Sequence, residues 1–140
     1  MGKMIHEALS RSIIGIAMEV LNELKPGLDE KLYERAMAIA LRRCGHNVAL
    51  QTSFPVFYRS ELIGNLVPDM IVDELVIVDG KVVSAFTDRH SAQMIGYLNM
   101  TGLKLALGVN IKNASLTWKR VVNERMHDSI IPPDLHSPHP

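Results

Sequence analysis

The chain is short of cysteine, of aromatic side chains and of any surplus of one charge. It has one cysteine, Cys44, so no disulfide can close within it, and a reducing compartment, the cytoplasm, is the expected location. Cys44 stands at an expected helix end beside Gly45, where a small buried apolar residue is expected rather than a reactive thiol. Aromatic residues make up 5%, which leaves packing to aliphatic side chains and methionine. Fifteen Lys and Arg balance fifteen Asp and Glu. That balance argues against the basic excess of a non-specific nucleic-acid coat, while Arg42-Arg43 and Lys119-Arg120 still offer local basic patches. No apolar run reaches the length that spans a bilayer, and no signal-peptide pattern opens the sequence. Gly2 lacks the Ser or Thr that a myristoylation signal wants near position 6. No membrane association is therefore expected. There is no internal repeat and no glycine-rich phosphate loop.

What is present is a core. Hydrophobic residues make up 47% of 140, enough for one domain without metal or disulfide staples. We expect that domain over residues 1–131, and a flexible Pro/His-rich tail over 132–140. Ile5, Leu9, Ile13, Ile16, Val20 and Leu24 recur at steps of three and four and predict an amphipathic helix over 4–24, stopped by Lys25-Pro26-Gly27. Asp29 is placed to cap a second helix through its side-chain oxygen. That helix carries Tyr33, Met37, Ala40 and Leu41 and ends at Gly45. Short β-like runs follow: 48–58, in which Pro55 marks an edge strand or a bulge, then 61–65, 68–72 and 75–83. Asp88 offers a cap for a helix to about Met100, ended by Thr101-Gly102. Residues 103–111 read as a buried strand and 116–123 as a last one. The order is that of a mixed α/β domain, a central sheet flanked by helices.

One group of residues can carry chemistry. Pro68-Asp69 is followed ten residues later by Asp79-Gly80-Lys81. If their two runs pair antiparallel, both aspartates approach at neighbouring strand ends, and two close carboxylates hold a hard divalent cation. Asp79 and Lys81 are two apart and share one face of a strand. A lysine there stabilises charge on a phosphoryl oxygen, which suits metal-assisted hydrolysis of a phosphodiester. Taken alone, however, Asp79-Gly80 is a strong hairpin-turn signal that would leave Lys81 solvated. The tripeptide by itself favours that turn. Glu30 can serve equally as a ligand or as a favourable charge at a helix start. His90, Gln93 and Tyr97 lie on one helical stripe.

In order and spacing, these elements resemble the GxxExxY protein family, a branch of the PD-(D/E)XK nuclease-like superfamily. The resemblance runs from about Ile13 to Asn123. It rests on Gly27-Leu28-Asp29-Glu30-Lys31-Leu32-Tyr33, on Pro68-Asp69, on Asp79-Gly80-Lys81, on His90 with Gln93, and on Thr101-Gly102-Leu103-Lys104-Leu105. It implies a restriction-endonuclease-like core of α-β-β-β-α-β form with an extra N-terminal helix. It also implies that Asp73-Glu74 is the hairpin turn and that Asp79-Gly80-Lys81 lies in a strand. In that frame the candidate catalytic residues are Asp69, Asp79, Lys81 and Gln93. Glu30, Asp69 and Asp79 are the candidate ligands of Mg²⁺ or Mn²⁺, and Tyr97 and His90 are candidate substrate contacts.

The expected function is metal-dependent hydrolysis of DNA or RNA. A homodimer would supply a second active site for the second strand of a duplex. Two departures keep another expectation open. Asp-Gly-Lys stands where the family usually has Glu-Leu-Lys, and Ser84 stands where many relatives carry Glu, and both changes weaken the grip on a metal. The alternative is a degenerate nuclease fold kept as a nucleic-acid-binding or protein-assembly module.

Overall fold

The computed structural model describes residues 4–123; the stretch 132–140, read as a tail, lies outside the described residues. The elements in chain order are α1 (Glu7–Leu24), α2 (Glu30–Arg43), β1 (Val48–Leu50), β2 (Phe54–Tyr58), β3 (Glu61–Leu66), β4 (Met70–Val72), β5 (Val76–Lys81), α3 (Asp88–Thr101), β6 (Leu105–Asn110) and β7 (Thr117–Val122). A five-stranded sheet has the order β1-β4-β5-β6-β7, and β2 and β3 form a separate hairpin. Neighbours in the sheet are antiparallel except β5 and β6, which run parallel. That parallel step needs a crossover, and α3 supplies it. The path α2-β1-β4-β5-α3-β6 is the expected α-β-β-β-α-β core. To it are added α1 in front, the β2–β3 hairpin between β1 and β4, and β7 at one edge.

Strand alternation divides the core in two. Val76, Val78, Leu105, Leu107 and Val109 pack with Ile13, Leu21, Tyr33, Met37 and Leu41 of α1 and α2. Ile71, Ile77 and Ala106 pack on the other face with Met94 and Leu98 of α3. Fully burying such side chains is worth about 1.5–3 kcal/mol each, so this layering holds the sheet and sets where its polar ends lie.

Several local expectations change. The run 48–58 is two strands in two sheets, because Gln51 takes φ +55° and turns the chain away. Pro55 does sit in a two-stranded ribbon with a register shift beside it, between Val56 and Phe57. Asp29 stands at the N-cap of α2 but makes no side-chain cap bond; its backbone oxygen accepts from Leu32 N at 3.0 Å. Thr87, not Asp88, caps α3. Cys44 is exposed rather than buried, since it lies past the last turn of α2. Asp73 and Glu74 form the β4–β5 turn with φ +54° and +59°, the paired left-handed residues of a type I′ turn. Asp79-Gly80-Lys81 is therefore strand.

At that turn end, Ser12 Oγ lies 3.2 Å from His46 Nε2, and His46 Nδ1 lies 2.8 Å from Asp73 Oδ2. No local motif signals this set, because its members are far apart in the chain. Ser12 sits within α1, where backbone N–H groups are spent on the helix ladder and none is left to hold an oxyanion. The three side chains brace α1 and the α2–β1 loop against the β4–β5 turn.

Candidate active site

At the other end of β4 and β5, Asp79 and Lys81 share the parity of Ile77, so both side chains lie on the α3 face of the sheet. Asp79 is 3% exposed. Its Oδ2 lies 3.4 Å from Lys81 Nζ, yet that buried oxygen has no hydrogen-bond partner. Burial pushes the Asp79 carboxyl up from 3.8; the Lys81 charge opposes this, and a hydrogen bond and negative charge from Asp69 add to it, leaving it at about 7. Asp69 stands just before β4, where its backbone oxygen accepts from Gln51 N at 3.1 Å.

A polar chain runs on from there. Lys81 Nζ donates to Gln93 Oε1 at 3.3 Å, and Gln93 Nε2 donates to Tyr97 Oη at 3.1 Å. Met94 and Leu98 anchor α3 on the sheet, which leaves Gln93 and Tyr97, one turn apart, beside Lys81. Gln93 is exposed but on the side that faces the lysine. Burial, then the charges of Asp79 and Asp69, raise the Tyr97 hydroxyl pKa, which favours the neutral donor.

Glu30 shares a cleft with Asp69 but not with Asp79. Glu34 and Gly80 also line that cleft, which is of about 70 Å³. Gly80 has the opposite strand parity to Asp79, so that cleft lies on the α2 face. The Glu30 carboxylate accepts from Val82 N at 3.0 Å, which holds the chain just after β5. His90 lies at the start of α3, and its Nδ1 accepts from Thr87 N at 3.0 Å. It thus completes a reciprocal capping box with the Thr87 hydroxyl. Tyr33 is a core residue: it is 1% exposed, and its hydroxyl donates to Lys25 O and accepts from Leu28 N, closing the loop before α2.

Two residues of this region escaped the sequence reading. Glu34 follows Glu30 by four on one helix face, a signal that could have found it. Its carboxyl is raised by burial and then by the Asp69 charge. Asn110 is buried at the end of β6. Its side chain donates to Val83 O at 2.8 Å and accepts from Val83 N and Lys112 N, fixing the segment that leaves β5. A polar residue closing an apolar strand was its signal.

The donor chemistry fits a hard divalent cation. Two neighbouring carboxylates, one with a buried oxygen that makes no hydrogen bond and has only the Lys81 ammonium at 3.4 Å, are the oxygen donors that a hard divalent cation takes from a protein when waters and phosphate complete its shell. Among the described residues, no three His, Cys, Asp or Glu side chains converge as a metal set. Among the same residues, no helix is long and apolar enough to cross a membrane.

Residues 7–121 match the family model of the PD-(D/E)XK nuclease superfamily. The mixed five-stranded sheet flanked by three helices is consistent with its restriction-endonuclease-like fold. No curated protein and no solved structure matches the chain.

Proposed function

The chain belongs to the PD-(D/E)XK nuclease superfamily, and from that membership and the site we propose a metal-dependent nuclease of GxxExxY type that hydrolyses DNA or RNA. Nucleases of this superfamily generally use divalent metals. The observation that carries the proposal is the buried Asp79 oxygen without a hydrogen bond, set between Asp69 and Lys81. Asp69 and Asp79 would hold Mg²⁺ or Mn²⁺, and Glu30 would assist on giving up its bond to Val82. When bound, the cation supplies Lewis-acid charge at the scissile phosphate.

The chain's own groups do the rest. Water adds to phosphorus and gives up a proton to solvent, the P–O ester bond to the leaving oxygen breaks, that oxygen takes a proton from solvent, and negative charge builds on the phosphoryl oxygens on the way. The Lys81 ammonium, held by Gln93, stabilises that charge. Tyr97 offers its hydroxyl to the phosphate backbone. The Nε2 edge of His90 remains for an adjacent phosphate, since Nδ1 serves the helix cap.

Purified protein with Mg²⁺ or Mn²⁺ should cleave at least one of single-stranded, duplex or forked DNA or RNA, and Lys81→Ala should not. No cleavage by wild type, or equal cleavage by the variant, overturns the proposal.

The engaged carboxylate of Glu30 and the two-carboxylate metal set favour one second reading, a degenerate fold kept as a binding or assembly module. The metal discriminates. Under the nuclease reading, Mn²⁺ raises the melting temperature by mass action, and Asp69→Asn or Asp79→Asn removes that rise. A flat titration of wild type selects the module. We place the protein in the cytoplasm, and sedimentation tests whether two copies pair to cut both strands.

A further inference from the structure

Four large apolar side chains stand out in water within seven residues of the β2–β3 hairpin: Phe57 at 59%, Tyr58 at 59%, Leu62 at 58% and Ile63 at 66% exposure. Phe57 pairs with Leu62 on one face of the ribbon and Tyr58 alternates to the other, so apolar surface is exposed on both faces near the tip, and exposed apolar surface beside a site marks an interaction surface. Its position says with what. The hairpin leaves the sheet after Gln51, whose N–H bonds Asp69 O, and returns through residues 67 and 68 to Asp69 itself. Both feet of the ribbon are therefore fixed at a candidate metal ligand. At its base, Phe54 packs in the same cluster as Met94, Leu98 and Tyr97 of α3. The tip turn uses Arg59 and Ser60 at φ +48° and +71°, which fixes its direction. The Arg59 guanidinium lies 5.3 Å from the Tyr58 ring centroid.

We propose that the β2–β3 hairpin is the substrate-reading arm of the site and selects nucleic acid with unpaired bases beside the scissile phosphate. The inference rests on the nuclease reading above and adds the substrate class. Aromatic faces stack on unpaired bases of any sequence, and apolar side chains wedge between base steps. Arg59 covers one face of the Tyr58 ring, which leaves the other face and the Phe57 ring to bases, and its charge meets the backbone. A paired duplex hides its base faces and offers this arm little. A second copy of the chain is the poorer occupant. The four side chains expose on the order of 100 Å² each, well short of the roughly 800 Å² per partner that a stable interface buries.

The test is fluorescence anisotropy with labelled oligonucleotides, blunt duplex against forked duplex of the same sequence, in DNA and RNA versions, with EDTA and with Ca²⁺. Wild type should bind the fork at least ten-fold more tightly than the blunt duplex. Phe57→Ala with Tyr58→Ala should erase that preference. Tyr58→Phe, which keeps a stacking ring, should retain it and so separates lost stacking from lost folding. A double variant that keeps the wild-type ratio overturns the arm and leaves the nuclease reading standing. Wild type that binds no oligonucleotide overturns both. Sedimentation of wild type as a dimer and of the double variant as a monomer makes the tip a seam between copies, and that also overturns the inference.

Discussion

Burial in a low-dielectric site disfavours a charged carboxylate, and Asp79 shows the effect at one position. Its folded value is raised from 3.8 to about 7. The folded state therefore keeps a proton that the unfolded chain gives up. The stability this provides is complete below about pH 4 and is lost as pH rises to about 7. Metal-free wild type should lose on the order of a few kcal/mol across that window. Asp79→Asn should flatten the loss and be the more stable protein at pH 8. Urea denaturation of both proteins at pH 5 and pH 8 checks this; parallel slopes would contradict it. Next to it, Gly80 carries no left-handed φ, and an added Cβ would meet nothing within 4 Å. Gly80→Ala should then raise stability by about 0.5–1 kcal/mol through the unfolded chain's lost freedom, read as a higher melting temperature.

Among the elements, α3 carries half of the polar chain, and its start is set by Thr87 and His90. Losing an N-cap hydroxyl costs about 1 kcal/mol, so Thr87→Ala should lower stability by that amount. His90→Gln keeps a side chain that suits the capping box. It should leave stability within about 0.5 kcal/mol of wild type while weakening nucleic-acid affinity, because the imidazole edge is gone. Unchanged affinity would confine His90 to the cap. Periodicity made this helix, both N-terminal helices and the order of strands legible from sequence. It also put Gln93 and Tyr97 on one face, whereas the shared face of Asp79 and Lys81 came from the family resemblance, since Asp79-Gly80 alone reads as a turn. Glu30 shows the limit. A motif gives spacing along the chain, whereas the face of the sheet that a helix covers is decided by packing, and α2 lies across from α3. The same limit hid the division of residues 48–58 between two sheets, and hid Ser12, His46 and Asp73, whose meeting depends on three separate elements.

Across the whole molecule, the two ends of β4 and β5 have opposite electrostatic character. At the turn end, the Asp73 carboxylate is held below its ordinary value, chiefly by the hydrogen bond from His46 and further by Asn47 N. A lowered carboxyl contributes stability that is present above pH 4 and is lost as pH falls through the folded value. At the site end, Asp79 costs stability at neutral pH. Asp73→Asn should therefore destabilise at pH 7, by about 1 kcal/mol after discounting for partial exposure, and should leave metal-dependent stabilisation intact. Asp79→Asn should have the opposite sign and abolish that stabilisation. The two side chains are separated by most of the length of β5, on the order of 15 Å, and share no hydrogen-bond partner. Their effects should then add within about 0.5 kcal/mol in the double variant. Equilibrium denaturation of the four proteins at pH 7 measures this. A coupling well above that limit would mean that the sheet transmits strain from brace to site and that the two ends are not independent.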